Sequence, residues 1–218
     1  MKDNNALGIQ YLQEGKYEEA LAAFSKEIEE NPENAVAYVN FGNVLSAVGE
    51  LEKAMKFFER ALEKDDTIGT AHYGLGNVYY QLEKWNEAKD QFELAMKKGV
   101  NDSDIFFMLG MTLLQFEQPK LALPYFQRAV ELKPEDAEAR FQYGLCLAGQ
   151  GLIKEATTEF EKVVEADPMH ADAFYNLGVA YAYQENREKA LENLDKALDV
   201  QADHMLAAHA RKILTEEN

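Results

Sequence analysis

The sequence predicts an all-α solenoid, in which six helical hairpins stack in line and one further helix closes the end. Three observations carry that reading. Glycine recurs every 34 residues, at Gly8, Gly42, Gly76, Gly110, Gly144 and Gly178. Alanine keeps the same interval at Ala20, Ala54, Ala88, Ala122, Ala156 and Ala190, and a third column holds Phe24, Phe58, Phe92, Phe126, Phe160 and Leu194. Small residues let two helices approach closely, and a large side chain fills the space beside them. A glycine inside a helix costs about 1 kcal/mol against alanine, so six in register need such a packing reason.

The repeating unit is clearest between residues 71 and 98. Leu75, Gly76 and Tyr79 fall on one helical face, and Ala88, Phe92, Ala95 and Met96 follow at i, i+4, i+7 and i+8 on another. The short break Leu82-Glu83-Lys84 separates the two helices. A hairpin of this kind cannot bury both faces alone, and stacking covers them.

Six units are predicted, at 1–34, 35–68, 69–102, 103–136, 137–170 and 171–204, with a capping helix at 205–218. The first carries Asn4 and Glu27 where later units mostly have a large residue and alanine, and such polar replacements suit a terminal repeat. Pro32 stops its second helix, and Asn34 is expected to N-cap the next. The third unit lacks the closing proline and is expected to end on Gly99 as a C-cap. In the fourth, Pro119 opens the second helix. Pro124 lies inside that helix, where the lost hydrogen bond and the ring clash cost about 3 kcal/mol and predict a local kink. Met205, Leu206, Ile213 and Leu214 are expected to cover the open apolar face of the sixth unit.

With the 34-residue interval and the Leu-Gly…Tyr…Ala…Phe…Ala…Pro pattern in place, residues 1–204 resemble the tetratricopeptide repeat (TPR) family. The resemblance implies a right-handed superhelix whose concave side is lined by the first helix of each unit. Segments 117–132, 138–148, 185–191 and 203–206 resemble a small stand-alone bacterial member of that family, which implies a free-standing adaptor. It implies no reaction, because a solenoid dictates how the chain stacks and not what it holds.

Composition narrows the function classes. Lys+Arg number 22 against 39 Asp+Glu, a formal net charge of −17. That argues against binding a phosphate backbone, which needs clustered cations, and favours basic partners. A solvated helical surface explains the same charge without a partner. The single cysteine excludes an internal disulfide. The opening MKDNNALGIQ lacks the apolar core of a signal peptide and no run is long enough to span a bilayer, so a cytoplasmic protein without membrane contact is expected.

Little in the sequence suggests chemistry. His204 and His209 are five apart, which does not place two metal ligands on one helical face. His72 falls in a packing column, and Cys146 reads as a small, inert, packed thiol. Glycine-rich phosphate loops, nucleophile motifs and CxxC pairs are missing. A non-enzymatic protein without metal or cofactor is expected.

The inner face is where a partner is expected to bind. One ladder along the first helices reads Val39, Tyr73, Phe107, Phe141 and Tyr175. Beside it lie Asn40, Asn43, Asn77 and Asn176, with Tyr80, Met111 and Tyr183 further along. Aromatic rings give contact area with few rotatable bonds, and asparagine both donates to and accepts from an extended backbone. The rings equally suit gap-filling between adjacent first helices. For Phe107 and Phe141 the two readings stand open, and for Tyr73 and Tyr175 exposure is favoured because hydroxyls seek partners.

Many TPR co-chaperones hold an acidic C-terminus with inner lysines and arginines, and this sequence departs from that pattern. The corresponding column reads Lys2, Val36, Thr70, Asp104, Glu138 and Asp172. The last three form an acidic groove edge, although carboxylates there also favour a helix N-terminus. The expected role is an adaptor or scaffold whose concave groove binds an extended protein or peptide segment, basic or neutral and apolar. The competing readings are a self-assembling module with weak self-association, and a peptide-sensing regulator, for which no output domain is visible.

Overall fold

The computed structural model describes residues 3–216, which form thirteen helices and, among the described residues, no strand. Contacts group them into two compact units, one ending at Asn101 and the other beginning at Asp102. The first contains α1 (Asn4–Gln13), α2 (Tyr17–Glu30), α3 (Ala35–Ala47), α4 (Leu51–Lys64), α5 (Gly69–Gln81) and α6 (Trp85–Lys97). The second contains α7 (Ser103–Gln115), α8 (Pro119–Leu132), α9 (Ala137–Gly149) and α10 (Ile153–Ala166). It continues with α11 (Ala171–Tyr183), α12 (Arg187–Val200) and α13 (Met205–Glu216).

The glycine column does what its spacing implies. A Cβ placed on Gly76 would lie 2.6 Å from the Phe92 ring of its own hairpin, and one on Gly178 would lie 2.8 Å from Leu194. The other four glycines of the column face the phenylalanine of their hairpin at similar range. The five rings and Leu194 are almost wholly buried, as is every alanine of the second column.

Each hairpin turns in one way. The N–H three residues past the helix end reaches back over the turn, from Lys16 to the Tyr11 carbonyl at 2.8 Å and from Lys84 to that of Tyr79 at 2.9 Å. This closure puts the preceding residue in the left-handed region. Gly15, Gly49 and Gly151 accept that cheaply, but Glu83, Glu117 and Glu185 hold the same position at φ 58, 56 and 59. A side chain there costs about 1–2 kcal/mol. Glu117→Gly is therefore expected to stabilise the protein by about 1 kcal/mol after glycine's own entropy is charged, and thermal melts read it. A variant that melts no higher would show the strain relieved elsewhere.

Several sequence expectations are modified. Asn4 and Glu27 are buried rather than wet, because Asn4 donates to Glu30 at 2.8 Å and Glu27 accepts from Asn31 and Asn34. Asn34 thus spends its amide on Glu27 and makes no side-chain cap to α3. Gly99 ends α6 at φ 96 as expected. Pro119 opens α8, which continues through Pro124. Lys120, whose carbonyl loses its donor to Pro124, is exposed, so water can take that place.

The terminal helix requires a correction. Met205, Leu206 and Ile213 do not cover the last hairpin, being 83%, 60% and 43% exposed. Of the four expected residues Leu214 does pack there, and Ala207 and Ala210 join it against Phe174, Leu194 and Leu198. The physical reason is the cap: His204 fixes the first turn of α13 and turns its alanine face inward.

In both units, first helices of successive hairpins come into contact. α3 touches α1 and α5, and α11 touches α9 and α13. Within each unit, a second helix packs on its own partner and on the following first helix, and not on the next second helix. Within each unit the odd-numbered helices thus line up in a row, and they carry the residues singled out above.

Candidate protein-binding surface

In the first unit the surface is built from α3 and α5. Asn43 is exposed and Asn77 half-buried, one repeat interval apart. Asn40 is half-buried and donates to Asn5 Oδ1 at 2.9 Å, so it ties neighbouring first helices together. Tyr73 lies half-buried with its ring 5.8 Å from Phe92, and Tyr80 meets Trp85 edge-on at 4.9 Å. Gln81 donates to Ser46 at 3.5 Å, again between successive first helices.

The second unit differs. Phe141 is only 7% exposed and sits between Phe160 and His170, so it is a packing residue and not part of a surface. Its ring is drawn in because His170, the cap of α11, packs on it in a tilted contact at 4.5 Å. Phe107 is half-buried against Phe126, and Met111 is half-buried beside the same cluster. Tyr175 is half-buried, 5.2 Å from His204. Asn176 donates to the Asp172 carbonyl one turn back at 2.8 Å.

Asp104, Glu138 and Asp172 are all exposed in the first turns of α7, α9 and α11. Glu138 accepts from Gln142 at 2.8 Å. Asp172 accepts from His204 Nε2 at 3.1 Å while its side chain stays two-thirds exposed. Because His204 Nδ1 accepts from the Ala207 N–H, the proton of the neutral ring belongs on Nε2. Lys2, at the head of this column, lies outside the described residues.

The groups with reactive potential are structural. Cys146 is buried, and desolvation pushes its thiol from the ordinary value of 9 up to about 11. An unfolded chain ionises first, so this contribution to stability is intact below pH 9 and falls as pH rises toward 11. Burial also raises Tyr143 and Tyr181, so the comparison must be with Cys146→Ala. Between pH 9 and 11 the wild type is expected to lose about 2 kcal/mol more than that variant in denaturant titrations. Parallel losses would place the thiol in contact with solvent. His72 bonds Gln91 at 2.8 Å and is half-buried, as its column implies. Among the described residues no three His, Cys, Asp or Glu converge as for a metal, and no helix is long and apolar enough to cross a membrane.

Stacked hairpins with an inner row of first helices define the class of helical-repeat interaction scaffolds. The chain belongs to the tetratricopeptide repeat family. Models of that repeat match residues 11–68, 107–168 and 171–204. The crystal structure of YrrB, a TPR protein with an unusual peptide-binding site, shares 60% identity and a TM-score of 0.79 over 87% of this chain and 98% of that one. YrrB of Bacillus subtilis also matches locally, 60% identical over 39 residues, which is 18% of this chain and 19% of that protein. PilF of Pseudomonas aeruginosa, at 19% identity and TM-score 0.83 over 96% of both chains, shares the fold. So does MamA of Desulfovibrio magneticus, at 23% identity and TM-score 0.68 over 78% of this chain and 97% of that one. TPR modules are scaffolds for protein–protein interaction and are typically non-enzymatic.

Proposed function

We propose that this protein is a non-enzymatic adaptor that holds an extended peptide or protein segment along its inner row of helices. The observation that carries the reading is the pair Asn43 and Asn77, at one column position on successive first helices, reaching the surface beside Tyr73. Amides at that interval suit the donors and acceptors of an extended backbone. The likeness to YrrB, with its peptide-binding site, supports the same role. The exposed carboxylates of Asp104, Glu138 and Asp172 favour a basic or neutral apolar segment and oppose capture of an acidic tail.

Peptides selected from a random display library supply the test. Asn43→Ala with Asn77→Ala is expected to cost about 0.5–1.5 kcal/mol of binding per lost hydrogen bond. Adding Tyr73→Ala is expected to cost about 2 kcal/mol more if the ring anchors the segment. Raising salt should slow association where the acidic edge steers it. Lys89→Ala, on α6 in an exposed pair with Glu93, is the control. A triple variant that binds as the wild type does, while the control fails, puts the surface on the other side. The exposed Met205 and Leu206 favour a second reading, weak self-association, which sedimentation at several concentrations measures.

A further inference from the structure

The inner row of the second unit carries two apolar clefts, and their origin is visible in one column of the sequence. That column holds Leu12, Ser46, Tyr80 and Leu114, then drops to Ala148 and Ala182. Losing a large side chain at two successive positions hollows the surface twice. The first cleft, about 500 Å³, lies between α9 and α11 over Ile153 and Phe160 of α10, with Ala148 and Gly149 on one side and Asn176, Val179 and Tyr183 on the other. The second, about 590 Å³, lies between α11 and α13, with Val179, Ala182 and Tyr183 facing Ala210, Ile213 and Leu214. Val179 and Tyr183 are the wall the clefts share, and Tyr183 is 76% exposed.

The wall belongs to an ordered stripe. Asp172, Asn176, Val179 and Tyr183 follow at i, i+4, i+7 and i+11, so one face of α11 runs from an acid through an amide to apolar groups. Asn176 spends its N–H on the Asp172 carbonyl, which leaves its Oδ1 as an acceptor. Adjacent packed helices lie roughly 8–10 Å apart, which sets the distance from one gap to the next. A polyproline-II segment returns to the same face every third residue, after roughly 9 Å, whereas alternate residues of a strand are separated by only about 7 Å.

Resting on the peptide-holding role proposed above, we infer that the two clefts take two apolar side chains, three residues apart, of one extended segment that carries basic residues toward Asp172. The volume of each cleft exceeds that of a leucine side chain. The basic flank follows from the exposed carboxylates of Asp172 and Glu138 on neighbouring inner helices and from the net charge of −17.

The test uses the full chain and short fluorescein-labelled peptides titrated by anisotropy. The reference peptide has two leucines three residues apart and a pair of lysines at one end. Comparison peptides place the leucines side by side, replace them with serines, or replace the lysines with glutamates. The reference is expected to bind about tenfold or more tightly than each of these. Ala148→Leu and Ala182→Leu restore the size of Leu114 and fill one cleft each, so each is expected to weaken the reference about tenfold. Should either variant melt lower than the wild type, Tyr183→Ala, at an exposed wall, carries the same expectation. A reference peptide that binds wild type and cleft variants alike overturns the inference. If that binding falls with Asn43→Ala and Asn77→Ala, the adaptor role stands and the clefts do not serve it. A wild type that binds the spaced and adjacent leucines equally, or neither, overturns it too, and the library selection then judges the adaptor role separately. A concentration-dependent dimer abolished by Ala182→Leu would identify the occupant as a second copy and overturn the peptide assignment.

Discussion

Phe92→Ala is expected to cost about 3–5 kcal/mol, because it empties a fully buried site between two helices. Gly76→Ala is expected to cost about 1–3 kcal/mol for the opposite reason, its new methyl lying 2.6 Å from that ring. The two changes should not add. With the ring gone the methyl meets empty space, and alanine regains about 1 kcal/mol of helix propensity over glycine. A double-mutant cycle in denaturant should therefore show a favourable coupling of more than about 1 kcal/mol. Simple additivity would mean that the glycine column serves something other than the ring beside it.

Glu159→Ala is the second large effect expected, at about 3 kcal/mol. Arg140 is buried on α9 and pairs with Glu159 of α10, while its other nitrogen donates to the Pro134 carbonyl at 2.6 Å. Removing the carboxylate leaves a guanidinium with one carbonyl for company, and a buried uncompensated charge is costly. Arg140→Leu with Glu159→Leu removes both charges and should recover much of the loss. Tyr38 makes the same reach to the Pro32 carbonyl at 3.1 Å without an ion pair, so the corner itself does not require a charge. Equal melting of Glu159→Ala and wild type would show the pair to be solvated.

The helices were legible because glycine and phenylalanine repeat at one interval, and two faces of fixed spacing can only be buried by stacking. Gly15 and Gly49 likewise announce their turns, but Glu83, Glu117 and Glu185 do not, since glutamate seldom adopts a positive φ. His170 and His204 were invisible as caps because the residues that usually fill that role are short oxygen-bearing ones. On the inner face, the column that holds Asn43 and Asn77 could be read directly. Phe141 could not, because its burial depends on His170 from the next turn of chain. The clefts at Ala148 and Ala182 were written in the sequence as a loss of size, which a search for large side chains passes over. The division at Asn101 has no counterpart in composition.

The neighbour-only packing of the hairpins has a mechanical consequence. Within either unit no second helix braces the next second helix, so the outer side carries no continuous strut. A pulling force along the stack therefore loads one hairpin junction after another in series, and the weakest gives way first. Each unit of 34 residues that unravels lengthens the tether by roughly 110–120 Å at full extension. A chain built this way behaves under tension as a row of releasable links of equal length, extending in steps while the remaining links keep their shape.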